Sequence, residues 1–482
     1  MIPVARTCFI IDLPSDVIVD ILSKWLSMRN VSRIDGALCS RDARSALLGI
    51  LASNPFATRE SVDIRSIEFM KWLCLRKIRL VNIGLNESFP GLSEYLRLSA
   101  QTIRSIECWD WRNIDTIAIY CRELTSLNLS NTSVTENLNA LLYFNPNLQE
   151  LSIEYIDDFD SDDFHIQQQN LSQLKSLNLQ SSLFDDEKLA NLLEGAKNLQ
   201  QLNLSMCDDI TDKGALTVLK NCFQLRCFNA GSVQLSDDIL TNLGKCCPYI
   251  MHLSLTFNST LTDASVLSIA KNLKGLQSLN LSDCRAITDE SILYLAQYSA
   301  PTLRILYLDG MAKIRVSVLQ ELLQKCTNLI ELNVDCDVNK YAADIVPYMG
   351  NLQQLATHTL ISDHALCLIA THCTQLRRLA IMSAYNSYEG DEISHNINDP
   401  QAMYGIFEQA AWDDRLYSSK GFIALMEGLV HLEMLGVRAE ELRDNGLLNE
   451  FAQTMWRRLR PTLVFTSDEF EFGHNFMDSS IA

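Results

Sequence analysis

The sequence predicts an α/β fold: a right-handed solenoid of repeats with a parallel inner sheet and outer helices, preceded by a small three-helix domain. Three observations carry this. The phrase L-x-x-L-x-L, or its Val-ended variant, starts at Leu124, Leu174, Leu199, Leu276 and Leu329. Weaker copies start at Ile103, Leu148, Leu225, Ile250, Leu303, Leu352 and Leu376, so successive starts lie 21 to 27 residues apart over eleven steps. A second phrase follows many copies about ten residues after the start, as in ITDKGAL, LTDASVL, ITDESIL and ISDHAL. A fixed period of this size marks a stacked array rather than a set of independent domains.

The first element is IDLPSDVIVDILSKWL, residues 11–26. Pro14 suits an early helical position, where its missing N–H costs nothing. Val17, Ile18, Ile21, Leu22, Trp25 and Leu26 then form an i, i+1, i+4, i+5 stripe on one face. A second pattern holds Val31, Ile34, Leu38 and Cys39, and a third Ala43, Ala46, Leu47, Ile50 and Leu51. Three short helices enclose little core, so residues 8–52 are expected to lean on the solenoid, on a partner or on both. Residues 53–102 read as a linker and irregular first repeats. Within them Arg76, Lys77 and Arg79 alternate with Leu75, Ile78 and Leu80, which suits an early repeat better than a nucleic-acid patch.

From 103 to 465 each repeat reads as strand, loop and capped helix. The L-x-L alternation gives a short strand with one buried face. Thr or Ser before Asp is an N-cap signal, with the Asp favourable near the positive end of its own helix. One unit cannot bury its apolar side, whereas a stack makes a continuous core. Further copies start at Leu432 and, frayed, near Leu463. The cysteines obey the register: Cys121, Cys222, Cys247, Cys326 and Cys373 each precede the next start by three residues. Cys207 and Cys284 follow a start by eight, and Cys336 by seven. They read as small core side chains. The same register argues against a metal site at His364, Cys367, His372 and Cys373. No G-x-x-x-x-G-K-[ST], H-E-x-x-H or G-x-S-x-G occurs. No catalytic residue, metal or cofactor is expected, and the chain reads as a non-enzyme.

Charge is uneven. Residues 1–123 carry 16 Lys+Arg against 14 Asp+Glu, and residues 124–482 carry 24 against 45, so the net charges are +2 and −21. The acidic part is a poor match for a phosphate backbone, so no nucleic acid is expected. No apolar run is long enough for a membrane span, and the first residues lack a secretory pattern. Fifteen cysteines then read as reduced thiols. The expected setting is the cytoplasm, the nucleus or both.

The L-x-x-L-x-L strands, the [IL]-[TS]-D helix starts and the KNCF, KCCP and KCTN helix ends resemble the cysteine-containing subfamily of leucine-rich repeats over roughly 103–463. That resemblance implies a protein-binding solenoid. The order LPSDVIVDILSKWL–VSRIDGALCSRDAR resembles an F-box. Leu13, Pro14, Val17, Ile18, Ile21, Leu22, Trp25 and Leu26 match its first half, and Val31, Ile34, Leu38 and Cys39 its second. The tryptophan often found shortly after the cysteine is absent, with Arg41 and Arg44 in its region. The resemblance implies that residues 8–52 dock on a Skp-type adaptor joined to a cullin–RING ligase, while the repeats hold a protein substrate for ubiquitination. The chain would contribute positioning alone. A leucine-rich scaffold or inhibitor with a helical cap and no ubiquitin role stands as the alternative.

Inner-wall residues lie two, four and six places after each start. In the early copies they are small and polar, such as Ser176, Asn178 and Gln180. From Leu303 they change character: Tyr307, Asp309, Glu331, Asp335, His358, Arg378, Met382 and Arg438 are the expected target contacts. The spacing breaks once, from Leu376 to Leu432, leaving an insertion at 384–418 that carries Trp412 and five other aromatic residues. An aromatic insertion at the rim of the inner wall is expected to join the contact. The tail, 466–482, is acidic and aromatic, and both disorder and folding across the concavity are open for it.

Overall fold

A computed structural model of the chain describes residues 41–58, 61–64, 66–129, 137–155, 171–311, 314–334, 338–357, 362–381, 419–437 and 464–466, with Ser15, Ile18, Val19, Ile21, Leu22, Val31, Arg33 and Ile34 ahead of them. The expected insertion at 384–418 lies outside these residues, as does the expected tail beyond Thr466. The chain divides into two compact units, Met1–Val233 and Gln234–Ala482.

In the first unit eight described strands pair in parallel and in chain order: β1 (Val62–Asp63), β2 (Asn82–Leu85), β3 (Ser105–Cys108), β4 (Ser126–Asn128), β5 (Glu150–Ser152), β6 (Ser176–Asn178), β7 (Gln201–Asn203) and β8 (Cys227–Asn229). The helices are α1 (Arg41–Ser53), α2 (Ile67–Arg76), α3 (Leu92–Ser99), α4 (Ile114–Tyr120), α5 (Asn137–Phe144), α6 (Asp186–Gly195) and α7 (Asp212–Asn221). The register follows the leucine phrase. Leu127, Leu151, Leu177, Leu202 and Phe228 stand opposite one another and are buried, each three residues after its repeat start.

The second unit repeats the plan with β9 (His252–Ser254), β10 (Ser278–Asn280), β11 (Ile305–Leu308), β12 (Glu331–Val334), β13 (Gln354–Thr357), β14 (Arg378–Ile381), β15 (Met434–Val437) and β16 (Val464–Thr466). These also pair in parallel in chain order. Its helices are α8 (Asp237–Cys246), α9 (Asp263–Asn272), α10 (Asp289–Tyr298), α11 (Val316–Lys325), α12 (Val338–Ile345), α13 (Asp363–His372) and α14 (Ser419–Gly428). Leu379 pairs directly with Leu435, so the long stretch between β14 and β15 adds no strand between them. Each unit is thus a leucine-repeat α/β array.

The helix starts behave partly as expected. Thr211, Thr262, Thr288 and Ser362 are N-caps whose hydroxyl oxygens accept backbone N–H groups of their own first turns. The aspartate beside the cap has a further role that composition did not suggest: its carboxylate serves the following repeat. Asp186 Oδ1 accepts from the N–H groups of Thr211 and Gly214 at 2.8 Å each, and Oδ2 from the Thr211 hydroxyl at 2.6 Å. Asp237 accepts in the same way from Thr262 and Ser265, and Asp263 from Thr288 and Ser291. Asp289 reaches Arg315, and Asp363 reaches the N–H of Gly421. The N-termini of α7, α9, α10, α11 and α14 are therefore each met by the aspartate of the repeat before.

The register cysteines also split into two kinds. Cys121, Cys247, Cys326 and Cys373, three before a start, are buried, and burial pushes each thiol up to about 12. Those eight after a start donate backwards. Cys207 Sγ reaches the Leu179 carbonyl at 2.9 Å and Cys284 Sγ the Leu255 carbonyl at 3.0 Å. Ser182 makes the same bond to Ile153. In these three repeats the position holds a small donor that satisfies a buried carbonyl, whereas the repeats starting at Leu225 and Leu303 place the apolar Val233 and Met311 there.

Candidate protein-binding surfaces

The N-terminal helical stretch meets the array through α1. Leu47 and Leu51 are buried, and Arg79 Nη2 donates to the carbonyls of Ala52 and Ser53, closing the helix C-terminus. Phe56 then bridges to Leu80 as the chain enters the array. Arg79 is therefore spent on a helix end. Residues 61–102, read from sequence as part linker, contain β1, α2, β2 and α3, all within the repeat pattern.

Among the residues expected to meet an adaptor, Ile18, Leu22 and Val31 are buried, whereas Ile21 and Ile34 are half-buried. Leu13, Pro14, Val17, Trp25, Leu26 and Leu38 lie outside the described residues. The stripe is thus divided: part of it packs inward, and Ile21 and Ile34 keep surface.

On the inner wall of the first unit, polar side chains largely satisfy one another. Asn178 Nδ2 donates to Glu154, Asn203 Nδ2 to Gln180, and the Ser176 hydroxyl to Gln201. Sequence reasoning missed the neighbouring row, seven residues after each start. Tyr155, Ser181 and Met206 sit there in the left-handed region, φ 54° to 59°, each donating its N–H to a carbonyl of the next repeat. Tyr155 and Met206 are largely exposed. Non-glycine residues pay for this conformation. No apolar periodicity marks the row, so only the count from each leucine start could have exposed it.

The second unit differs. Tyr307 and Glu331, on adjacent strands, are 5% and 8% exposed, and the Tyr307 hydroxyl donates to Glu331 Oε1 at 2.5 Å. Burial raises the tyrosine, and the carboxylate beside it raises it further. Burial also raises the Glu331 carboxyl, against the lowering effects of the Tyr307 hydrogen bond and the Arg378 charge. These two expected contact residues thus spend their polar atoms on each other. Arg378 is exposed and Asp309 half-buried. Asp335, His358, Met382, Trp412 and Arg438 lie outside the described residues. Asn333, four places after the Leu329 start and so on the inner wall by the same count, joins them: it lies between Tyr307 and Ala356 in register, is 6% exposed, and its Oδ1 has no hydrogen-bond partner.

Among the described residues no three of His, Cys, Asp and Glu gather as a metal site, and no helix is long and apolar enough to cross a membrane.

Comparison with known proteins agrees with the fold. The family described as Leucine Rich repeat matches residues 195–219 and 275–296. The chain is 30% identical over 154 residues to the DNA repair protein rhp7 of Schizosaccharomyces pombe, a match covering 30% of this chain and 27% of that protein. It is 31% identical over 153 residues to the Antagonist of mitotic exit network protein 1 of Saccharomyces cerevisiae, covering 30% and 27% respectively. The chain thus spans about a quarter of the length of the curated relatives it matches. The yeast Rad7 chain, solved in complex with Elc1, superposes with a TM-score of 0.50 at 17% identity, over 83% of this chain and 87% of that one. The chain contains leucine-rich repeats and has the fold of leucine-rich-repeat proteins.

Proposed function

We propose that this chain is the substrate-recognition subunit of an SCF-type ubiquitin ligase. In this reading residues 8–52 dock on a Skp-type adaptor carried by a cullin–RING ligase, and the repeats hold the protein to be modified, in the cytoplasm or nucleus. The observation that carries it is the junction of a helical N-terminal segment to a leucine-repeat array through the Arg79 cap and the Phe56–Leu80 bridge. That junction removes slack between an adaptor-binding end and a binding wall, as positioning requires. A relative fold crystallised with a partner chain, Rad7 with Elc1, supports the division of labour.

The test is co-elution of the purified chain with a Skp-type adaptor. It is repeated for Ile21→Glu with Ile34→Glu, which alter half-buried rather than core positions. Association lost in the variant, with the circular dichroism spectrum kept, supports the reading. No association of the wild type overturns it. A wild type that fails to bind the adaptor but captures a protein through its wall would instead support the scaffold or inhibitor reading, to which a relative named as an antagonist lends some weight.

A further inference from the structure

We propose that the outer helices of the Met1–Val233 unit bind an amphipathic helix of a partner protein, apolar on one face and acidic along one edge. The inference goes beyond the ligase reading and does not depend on it. It starts from the repeat register. Leu80, Ile83 and Leu85 are buried and form one more copy of the leucine phrase, with Ile83 opposite Ile106. Counted from that start and from Ile103, Leu124 and Leu148, the position five residues back holds Leu75, Leu98, Ile119 and Tyr143. Each lies in the last turn of its helix, α2 to α5 in order. All of them are exposed, from 37% to 79%. In the copies that start at Leu199, Leu225, Ile250 and Leu276 the same position is charged and exposed: Glu194, Lys220, Lys245 and Lys271. Exposed apolar side chains scattered singly are ordinary, whereas a row of them on adjacent helices marks a contact surface.

The geometry suits a helix. Helices α2 to α5 pack in chain order, and neighbouring helices lie about 8–10 Å apart, so the row is about 25–30 Å long. A helix of roughly 17–20 residues covers that length. A strand would find no ladder here, because helix backbones bond within themselves, while a helical ligand brings its own hydrogen bonds. The charges fix the ligand's orientation. Lys77, Arg97 and Arg122 are exposed at the ends of α2, α3 and α4, and Arg76 is half-buried beside Leu75. Arg122 stands over the Phe144 ring at 3.8 Å, and Phe144 meets Tyr143 edge-on at 5.1 Å. That stack holds the guanidinium beside the apolar row. Glu123 is the acid that stands among these cations. Along the opposite edge, four residues before Leu98 and Ile119, come Glu94 and Asp115, with Lys71 in the same place on α2. The acidic edge of the ligand therefore lies over the helix ends, and a basic edge placed there is repelled.

The experiment uses the full-length chain and fluorescein-labelled helical peptide pools of about 20 residues. Leucines repeat along one face, one edge is fixed as Glu, Ala or Lys, and the other positions are randomised. Fluorescence anisotropy is expected to show the Glu-edged pool binding about tenfold tighter than the Lys-edged pool, with the Ala-edged pool between them. Leu75→Ser with Ile119→Ser is expected to weaken all pools by about tenfold. Arg97→Glu with Arg122→Glu is expected to reverse the order of the Glu and Lys pools. Lys271→Glu, a change of the same sign outside the row, is expected to keep the order. All these positions are exposed, and melting curves check that each variant keeps its fold. No preference for the Glu edge in the wild type, binding unchanged by the serine pair, or an order reversed by Lys271→Glu as well overturns the proposal. Other occupants overturn it too. A second copy would show as a dimer in sedimentation velocity that the serine pair abolishes. A membrane would show as binding to phosphatidylserine vesicles that the same pair abolishes. The chain's own acidic end would show as peptide binding that appears only once residues 466–482 are removed. Adaptor co-elution is read separately, so a failed peptide arm leaves the ligase reading standing, and the reverse holds too.

Discussion

Replacing Asp263 by alanine should weaken the array at one defined step. Four donors reach this carboxylate: the Thr288 N–H at 2.9 Å, the Thr288 hydroxyl at 2.7 Å, the Ser291 N–H at 3.2 Å and the Ser291 hydroxyl. Thr288 is open to water, which replaces the aspartate there, so its two bonds count for about 0.5 kcal/mol each. Ser291 is fully buried, and stranding its hydroxyl costs about 1–2 kcal/mol more. The expected loss is therefore about 2–3 kcal/mol, with Asp263→Asn losing less because an acceptor remains. Urea titration gives the total, and amide exchange at 289–292 gives the location, with the α7 first turn at 212–215 as the internal control. A loss below about 0.5 kcal/mol, or equal loosening of both helices, would refute the reasoning. The same carboxylates set an acid limit. For Asp237 and Asp263 burial acts to raise the carboxyl, but hydrogen bonds from the next repeat outweigh it and hold both below the ordinary 3.8. Their contribution is therefore complete above that value and is lost as the pH falls through the lower folded one. Asp263→Ala should flatten stability against pH below about 4, the ordinary carboxyl range.

Three further outcomes follow from the same contacts. Gly214 is the glycine counterpart of Ser265 and Ser291, and a Cβ there would stand 2.5 Å from Asp186 Oδ1; Gly214→Ala should therefore destabilise by about 1–2 kcal/mol despite better helix propensity. Gly214→Ser, which offers the carboxylate a hydroxyl as its counterparts do, should cost less, as thermal melts of the two variants would show. Iodoacetamide at pH 8 should label the exposed Cys246 and Cys367 in the native chain but spare Cys121, Cys247, Cys326 and Cys373 until urea is added, a pattern read by peptide mass mapping. Glu331→Gln should raise the melting temperature at pH 7, because burial holds the carboxyl above its ordinary value and so penalises the folded state once the group ionises; an unchanged or lower melting temperature in the variant would count against that account.

The fold was legible because its cause is periodic. Leucines three residues after each start must meet the next copy's leucines, and they do from Leu127 to Phe228 and from Leu253 to Phe465. The cysteine positions were legible as places, but only half as chemistry. Sequence could show that Cys207 shares a slot with Cys284, not that the slot faces the Leu179 or Leu255 carbonyl. The aspartates do open their own helices as read, but their second role, as acceptors for a repeat some 25 residues on, leaves no mark in one dimension. At the inner wall the change of character after Leu303 was visible. That Tyr307 and Glu331 would satisfy each other, and that Asn333 Oδ1 would be left unpaired, depends on strand register and burial that no single phrase encodes.

The aspartate ladder also has a consequence for heredity and design. A segment cut from one leucine start to the next carries its own Thr cap, but the carboxylate that holds that cap belongs to the preceding copy. Deleting, duplicating or transplanting such a segment joins each cap to a foreign acceptor, and the seam survives only where the new neighbour also bears Asp at the same place. Asp186, Asp237, Asp263, Asp289 and Asp363 thus act as a compatibility code among copies. Recombination within the array would be tolerated between members that carry the code and selected against where it is lacking, as at α11, whose first turn from Val316 holds no acidic residue.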